Sequence, residues 1–501
     1  MPASGWIERA ALLTLARVLP KRWAEVAKLV ATQPPSTPTS TVAVEVDSAA
    51  RRLREIDHIV VLMLENRSFD HMLGYLSLQG GRTDIDGLKA GMSNPYEGER
   101  PIHHLDRTAL GGEAEDPSHS GADVVAQLAG DNSGFAANFA KHGSEYAAKH
   151  GGPAPDPGLV MGYYDASDLP VYDFLAANFA ICDRWFSSVP GATWPNRLYS
   201  IAGRAEESKD DKKLPLYSLP GFPRFLDRAG VGWRWYSYDP GTLRLVDPAY
   251  RFTQHHRFSF VDKRKVKLRE EIVGELLEEG PSFLDDAAAG ELPSVSWIDP
   301  HFKDAAMLGP DSNDDHSPSD VTAGQELVLT IYNALRRSPN WEKTLLLVTY
   351  DEHGGFFDHV SPPAAPDDDP SFRRYGVRVP ALVVSPWVEA RCDSTLFDHT
   401  SIIKTILMRF CEEDGRIPDM GKRVSLANHL GALLAERPRN DVDDHRPLAA
   451  TLEEWRQSWG AARFGDPSEK ALGVGRLTEL QDGIVEAARR LRVAGLPSGH
   501  P

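Results

Sequence analysis

The chain has 501 residues, 41% hydrophobic and 25% charged, which excludes disordered and fibrous classes and allows a sizeable buried core. Its 55 basic residues against 72 acidic ones leave a formal charge of -17, which works against broad contact with nucleic acid or an anionic bilayer, since both require a cationic surface. The cysteines, Cys182, Cys392 and Cys411, are far apart, form no CxxC pattern and read as structural thiols.

In chain order, the first segment has only a short apolar run between Arg9 and Arg17, so neither a cleaved signal nor a membrane span is expected. Trp6, Ala10, Leu13 and Val18 instead suggest an amphipathic helix packed on the main body. The stretch Gln33 to Ser48, rich in Pro, Ser and Thr, reads as a linker, so that residues 1–50 form an N-terminal helix and linker. Three apolar runs then read as strands of a mostly parallel sheet: Asp57 to Leu64, Thr344 to Tyr350 and Val379 to Ser385. Helical patterns at Gly324 to Arg337 and Thr400 to Cys411 complete an α/β alternation. Irregular insertions at Leu88 to Pro157 and Pro215 to Ala289 are suited to substrate loops. A catalytic domain over 51–434 is followed by a C-terminal helical appendage over 435–501, with helices near Thr451 to Ala462 and Leu477 to Val493.

Chemistry is expected at the carboxyl ends of the strands. The first strand runs into Glu65 and Asn66, and the second into Asp351 and Glu352, which together offer oxygen ligands of the kind hard or borderline cations prefer. Either acidic turn alone reads as a helix cap. Between them in sequence, Pro195 suits the first turn of a helix, placing Thr193 at or near an N-cap, where free N–H groups and the helix dipole attract an anion. A hydroxyl there either caps the helix or, with its pKa lowered by a metal, attacks phosphorus.

The segments IDHIVVLMLENRSFDHMLGYL, GATWPNRLYSIAG and TYDEHGGFFDHVSPP resemble the signatures of the phosphoesterase family of bacterial phospholipases C, plant non-specific phospholipases C and related acid phosphatases. WIDPHF, NDDHSPSDV, RVPALVVSPWV and FDHTSIIKTI follow in the family's order, so the resemblance covers about Ile56 to Phe410. It implies an alkaline-phosphatase-like α/β fold and a divalent cation held by Glu65, Asn66, Asp351 and Glu352 against Thr193, the position of the family's nucleophile. His119 and His316 match histidines around the phosphate, with phosphate binding and proton delivery as their implied roles. Many bacterial members begin with a twin-arginine export signal; here Arg51 and Arg52 come too late for one, so cytoplasmic residence, or export without a cleaved signal, is expected.

Around these positions, His353 either joins the site or orients the acidic pair, and Arg197 contacts a phosphate or pairs with a buried carboxylate. Trp194 either walls the pocket, in reach of a choline-like cation, or simply packs. The pairs Asp70 and His71, Asp358 and His359, and Asp398 and His399 invite a metal reading, but a structural one is preferred. An oxygen set suits Mg, Ca or Mn, and the nearby histidines bring Zn into range. The leading expectation is a phospholipase C with transient contact to a membrane surface and a phosphothreonine intermediate. The alternatives are a broad acid phosphatase for soluble monoesters and a pseudoenzyme that binds a phosphorylated partner.

Overall fold

The computed structural model describes residues 34–107, 109–110, 113–212, 215–238, 241–251, 256–258, 281–302 and 312–463. The expected helices around Trp6 to Val18 and Leu477 to Val493 lie outside these residues. Eight strands form the central sheet: β1 (His58–Leu64), β2 (Ala180–Cys182), β3 (Trp233–Ser237), β4 (His256–Arg257), β5 (Val295–Ile298), β6 (Thr344–Tyr350), β7 (Ala381–Val384) and β8 (Arg391–Asp393). Their spatial order is β4-β3-β5-β1-β6-β7-β2-β8. Every neighbouring pair is parallel except the two that β7 makes, with β6 and with β2. The expected α/β architecture with a mostly parallel sheet is therefore present, with one reversed strand.

Burial explains why β1 and β6 are readable in sequence. Both lie mid-sheet, every residue of β6 is buried, and β1 exposes only part of His58, so neither strand needs a polar face. Each buried Val or Leu side chain contributes about 1.5–3 kcal/mol. The reversal of β7 has a topological cause. A parallel return from β6 would need a helical crossover, whereas residues 351–380 contain only loops and the 3-10 turn Pro370–Phe372.

The helices that matter for the site are α1 (Phe69–Leu73), α2 (Gly121–Gln127), α3 (Phe135–His150), α4 (Thr193–Ala202), α5 (Thr322–Arg337), α6 (Thr400–Phe410) and α7 (Arg446–Arg463). All ten residues of α4 are buried, and Gly203 ends the helix in the left-handed conformation at φ 72°. In the stretch read as a linker, Thr41–Ala43 pairs antiparallel with Arg416–Pro418, which ties that part to the body. The described part of the C-terminal segment is likewise packed: Leu452 is buried and Tyr332 Oη donates to Asp443 O at 2.8 Å. The cysteines are free thiols, Cys182 fully buried. Among the described residues, no helix is long and apolar enough to cross a membrane.

Candidate active site

Register brings the two acidic turns together. Leu64 of β1 lies opposite Tyr350 of β6, so Glu65 and Asp351 leave the sheet side by side. Backbone bonds lock the turns: Asp351 N donates to Leu64 O at 3.1 Å, and Arg67 N to Glu352 O at 3.0 Å. The Asn66 and Glu352 backbone N–H groups both donate to Asp351 Oδ1, at 3.2 and 2.7 Å. This turn requires a left-handed backbone at Asn66, with φ 55°.

The Asn66 amide is the hub. Thr193 Oγ1 donates to Asn66 Oδ1 at 3.4 Å, while Asn66 Nδ2 lies 3.4 Å from His119 Nε2 and 3.0 Å from His316 Nε2. Thr193 is the first residue of α4; its neighbour Ala192 is the N-cap and supplies no side-chain bond. The hydroxyl is thus not spent on capping. Glu65, Asn66, Thr193, Asp351 and Glu352 are all at most 1% exposed, whereas the His119 side chain is 18% exposed and marks the side nearer solvent.

Arg197, one turn along α4, points back under the sheet ends. Its Nη2 donates to Glu65 Oε1 at 2.6 Å and its Nε to Asp351 Oδ2 at 3.2 Å, which is the pairing with buried carboxylates considered from sequence. Both Asp351 oxygens are therefore engaged. Glu65 Oε2 and Glu352 Oε1, by contrast, are buried and accept no hydrogen bond among the described residues. They face His316 Nδ1 at 3.3 Å and His119 Nε2 at 3.9 Å.

Charge crowding shifts the ionisation of these groups. Burial and Glu65 push Asp351 well above the usual carboxylate range, with Arg197 opposing them. Burial also pushes Glu352 up, but His119 and His353 outweigh it and leave this carboxyl below its ordinary value. Burial disfavours the charged form of both histidines; Glu352 and Asp116 nevertheless hold His119 above its ordinary value, and Asp116 and Glu65 hold His316 well above it. Two orphaned carboxylate oxygens and an amide oxygen beside a hydroxyl fit an oxygen-ligated divalent cation, which would also relieve the crowding.

The surrounding residues divide by what they touch. His353 Nε2 bonds Gln127 Oε1 at 2.8 Å and its Nδ1 lies 3.3 Å from Glu352 Oε2, a contact with one member of the acidic pair. Trp194 is buried with its ring against Tyr217, centroids 5.5 Å apart, and packs. His71 bonds Gly162 O and Arg67. Asp398 accepts from Ser188, Thr400 and Arg423. Asp70, Asp358 and His359 come close enough to share an ion, but Arg378 already bridges the two carboxylates at 3.1 and 2.9 Å. A second such group, His104, Asp165 and Asp168, includes an exposed histidine.

His399 Nε2 donates to Asp351 O at 2.6 Å while its Nδ1 accepts from Trp185 Nε1 at 3.3 Å, so it is held neutral, its pKa pushed down to about 4 chiefly by burial. A histidine whose folded pKa lies below its unfolded value stabilises the fold above about pH 6.5, and that contribution is lost as pH falls toward 4. Urea midpoints at pH 7 and pH 4.5 should therefore converge in His399→Gln relative to the unmodified chain. Equal acid loss in both proteins would remove His399 as a cause.

Two neighbours escaped the sequence reading. Asp116, whose Oδ1 lies 3.6 Å from His316 Nε2, is three residues before His119, and that proximity was the available signal. Asp211 accepts from Trp194 N at 2.8 Å, and burial pushes its carboxyl up to about 7. Nothing in its local sequence, Lys209-Asp-Asp-Lys212, distinguishes it from a solvated charge run.

A family model described as the Phosphoesterase family matches residues 56–411. Non-specific phospholipase C4 of Arabidopsis thaliana is 33% identical over 436 residues, covering 78% of this chain and 74% of its own length. Phospholipase C A of Mycobacterium tuberculosis is 33% identical over 404 residues, covering 72% and 73%. Among solved structures, a protein in the alkaline phosphatase superfamily from Vibrio parahaemolyticus is similar at 12% identity and TM-score 0.31, over 54% of this chain and 65% of that one.

Proposed function

Because the chain belongs to the phosphoesterase family, and is thereby a hydrolase of phosphoester bonds, we propose that it acts as a phospholipase C on phosphatidylcholine-like lipids. The products are diacylglycerol and the phosphorylated head group, and the route passes through a phosphothreonine at Thr193. The observation that carries this reading is the Thr193 hydroxyl, free of capping duty at the start of a buried helix and facing the Asn66 amide with two histidines behind it. Relatives named phospholipase C in both a plant and a bacterium support the lipid substrate.

In the first step Thr193 Oγ, its proton released to solvent, attacks phosphorus in line, a P–O bond to Thr193 forms, and the P–O bond to the glycerol oxygen breaks. The leaving alkoxide takes a proton from His316 or His119, whose acidic neighbours favour the imidazolium form. In the second step the same imidazole, now neutral, accepts a proton from water as it attacks phosphothreonine, the P–O bond to Thr193 breaks, and the released Thr193 oxygen regains its proton from solvent. Glu65, Asn66 and Glu352, with Asp351 beside them, are the residues that would hold a divalent cation of the Ca, Mg, Mn or Zn group. The chemistry such an ion supplies is charge compensation at the phosphoryl oxygens and acidification of the hydroxyl.

Product analysis on phosphatidylcholine and on p-nitrophenyl phosphate, each with and without chelator, tests the reading. Diacylglycerol and phosphocholine that vanish with chelator are expected. Turnover of the soluble monoester alone would replace the lipid substrate with a general phosphatase activity, and lipid turnover indifferent to prolonged chelation would remove the cation.

A further inference from the structure

We infer that the segment Ser208–Asp211 is a clamp that fixes the turn carrying Thr193 against the turn carrying His119, making Asp210 and Asp211 positioning residues for the reaction. This rests on the roles proposed above for Thr193 and His119. Three consecutive residues of the segment each take a backbone N–H from one of those turns. Lys209 O accepts from Ala192 N at 2.9 Å, and Asp211 Oδ1 accepts from Trp194 N at 2.8 Å, one residue before and one after the nucleophile. Asp210 Oδ1 accepts from Gly121 N at 2.6 Å, two residues beyond His119. The segment is itself braced, since Asp210 N donates to Ser208 Oγ at 3.0 Å.

The geometry of approach supports the same conclusion. A Cβ added at Gly191 would lie 2.4 Å from Lys209 O, and one at Gly121 would lie 2.9 Å from Lys209 Cβ. Both turns thus have glycine where the segment passes. Among the described residues, Ala192 offers no side-chain cap, and Pro195 has no N–H, so the clamp supplies an acceptor for Trp194 in the first turn of α4 and another for the N-cap residue Ala192. The two turns meet at the Asn66 amide, which touches Thr193 on one side and His119 on the other. A shift of either turn would open that three-way contact, and misplacement by about 1 Å costs on the order of a hundredfold in rate.

The test compares Asp210→Ala, Asp211→Ala, their double variant, Asp210→Asn, Asp211→Asn and Thr193→Val, assayed on phosphatidylcholine, or on p-nitrophenyl phosphate should only the monoester be turned over. Each alanine variant is expected to lose about tenfold or more in kcat with KM within about twofold and an almost unchanged melting temperature, because the hydrogen bonds position groups that act in the chemical step. The double variant should fall about as far as the lower single one, since releasing either end frees the clamp. Asparagine, which keeps a carbonyl oxygen in place, should recover at least about half of kcat. Full kcat in both alanine variants would overturn the inference. So would an asparagine loss equal to that of alanine, or a loss at Asp210 that follows a fall in melting temperature. Asp210 is exposed, so its variants remain interpretable if those at Asp211 fold poorly. Turnover retained in Thr193→Val would instead defeat the nucleophile assignment. An inactive Thr193→Val beside fully active alanine variants would defeat the clamp alone.

Discussion

Thr193→Val is expected to abolish turnover, by on the order of 10⁴-fold or more, as loss of a nucleophile does elsewhere, while folding is retained. Valine keeps the branched shape in a site that is 1% exposed, so no large cavity opens. The hydroxyl caps nothing, and its one described bond, to Asn66 Oδ1, is long at 3.4 Å, so its removal should cost about 1 kcal/mol or less. Phosphoester hydrolysis measured beside circular dichroism and a melting curve separates the two effects. Thr193→Ser should restore activity, because it restores the hydroxyl and nothing else. A fully active valine variant would show that the attacking oxygen lies elsewhere.

Arg197→Met should be the most destabilising single change in the site. Methionine fills comparable space but leaves the carboxylates of Glu65 and Asp351 buried without their partner, a loss of about 3–5 kcal/mol for a broken buried ion pair. Two further bonds, from Nη2 to Met63 O and Leu64 O, go with it, as does the stacking of the guanidinium over Phe302 at 4.8 Å. Lysine is expected to recover only part of the stability, because one ammonium cannot reproduce the fork that spans the ends of two strands. Urea unfolding of the three proteins checks this. A methionine variant within about 1 kcal/mol of the unmodified chain would mean that the carboxylates are not charged in the fold.

Much of this was legible in the residues. β1 and β6 were readable because their burial on both sheet faces leaves continuous apolar runs, and α5 and α6 because their apolar spacing follows a helical period. The direction of β7 was not, since strand periodicity carries no information about which way a chain returns; that was decided by residues 351–380, which form no crossover helix. At the site, strand ends placed Glu65, Asn66, Asp351 and Glu352 correctly at one sheet edge. The double engagement of Asp351 was hidden because it depends on Arg197, far away in sequence. Asp210 and Asp211 were hidden for a related reason: their partners are backbone N–H groups, which every non-proline residue possesses and no pattern reveals.

The left-handed backbone at position 66 has a consequence for what substitution can tolerate there. Conformation admits glycine, asparagine and, less readily, aspartate at φ 55°. Chemistry admits only a side chain with an acceptor for the Thr193 hydroxyl and, once an imidazole has given up its proton, a donor toward that ring, which glycine lacks altogether and an ionised aspartate half lacks. The two filters overlap in a single residue type. A library randomised at this codon and selected for hydrolysis should return asparagine almost alone, whereas selection for folding should also return glycine, so the two enriched sets would separate the demands of the backbone from those of the reaction.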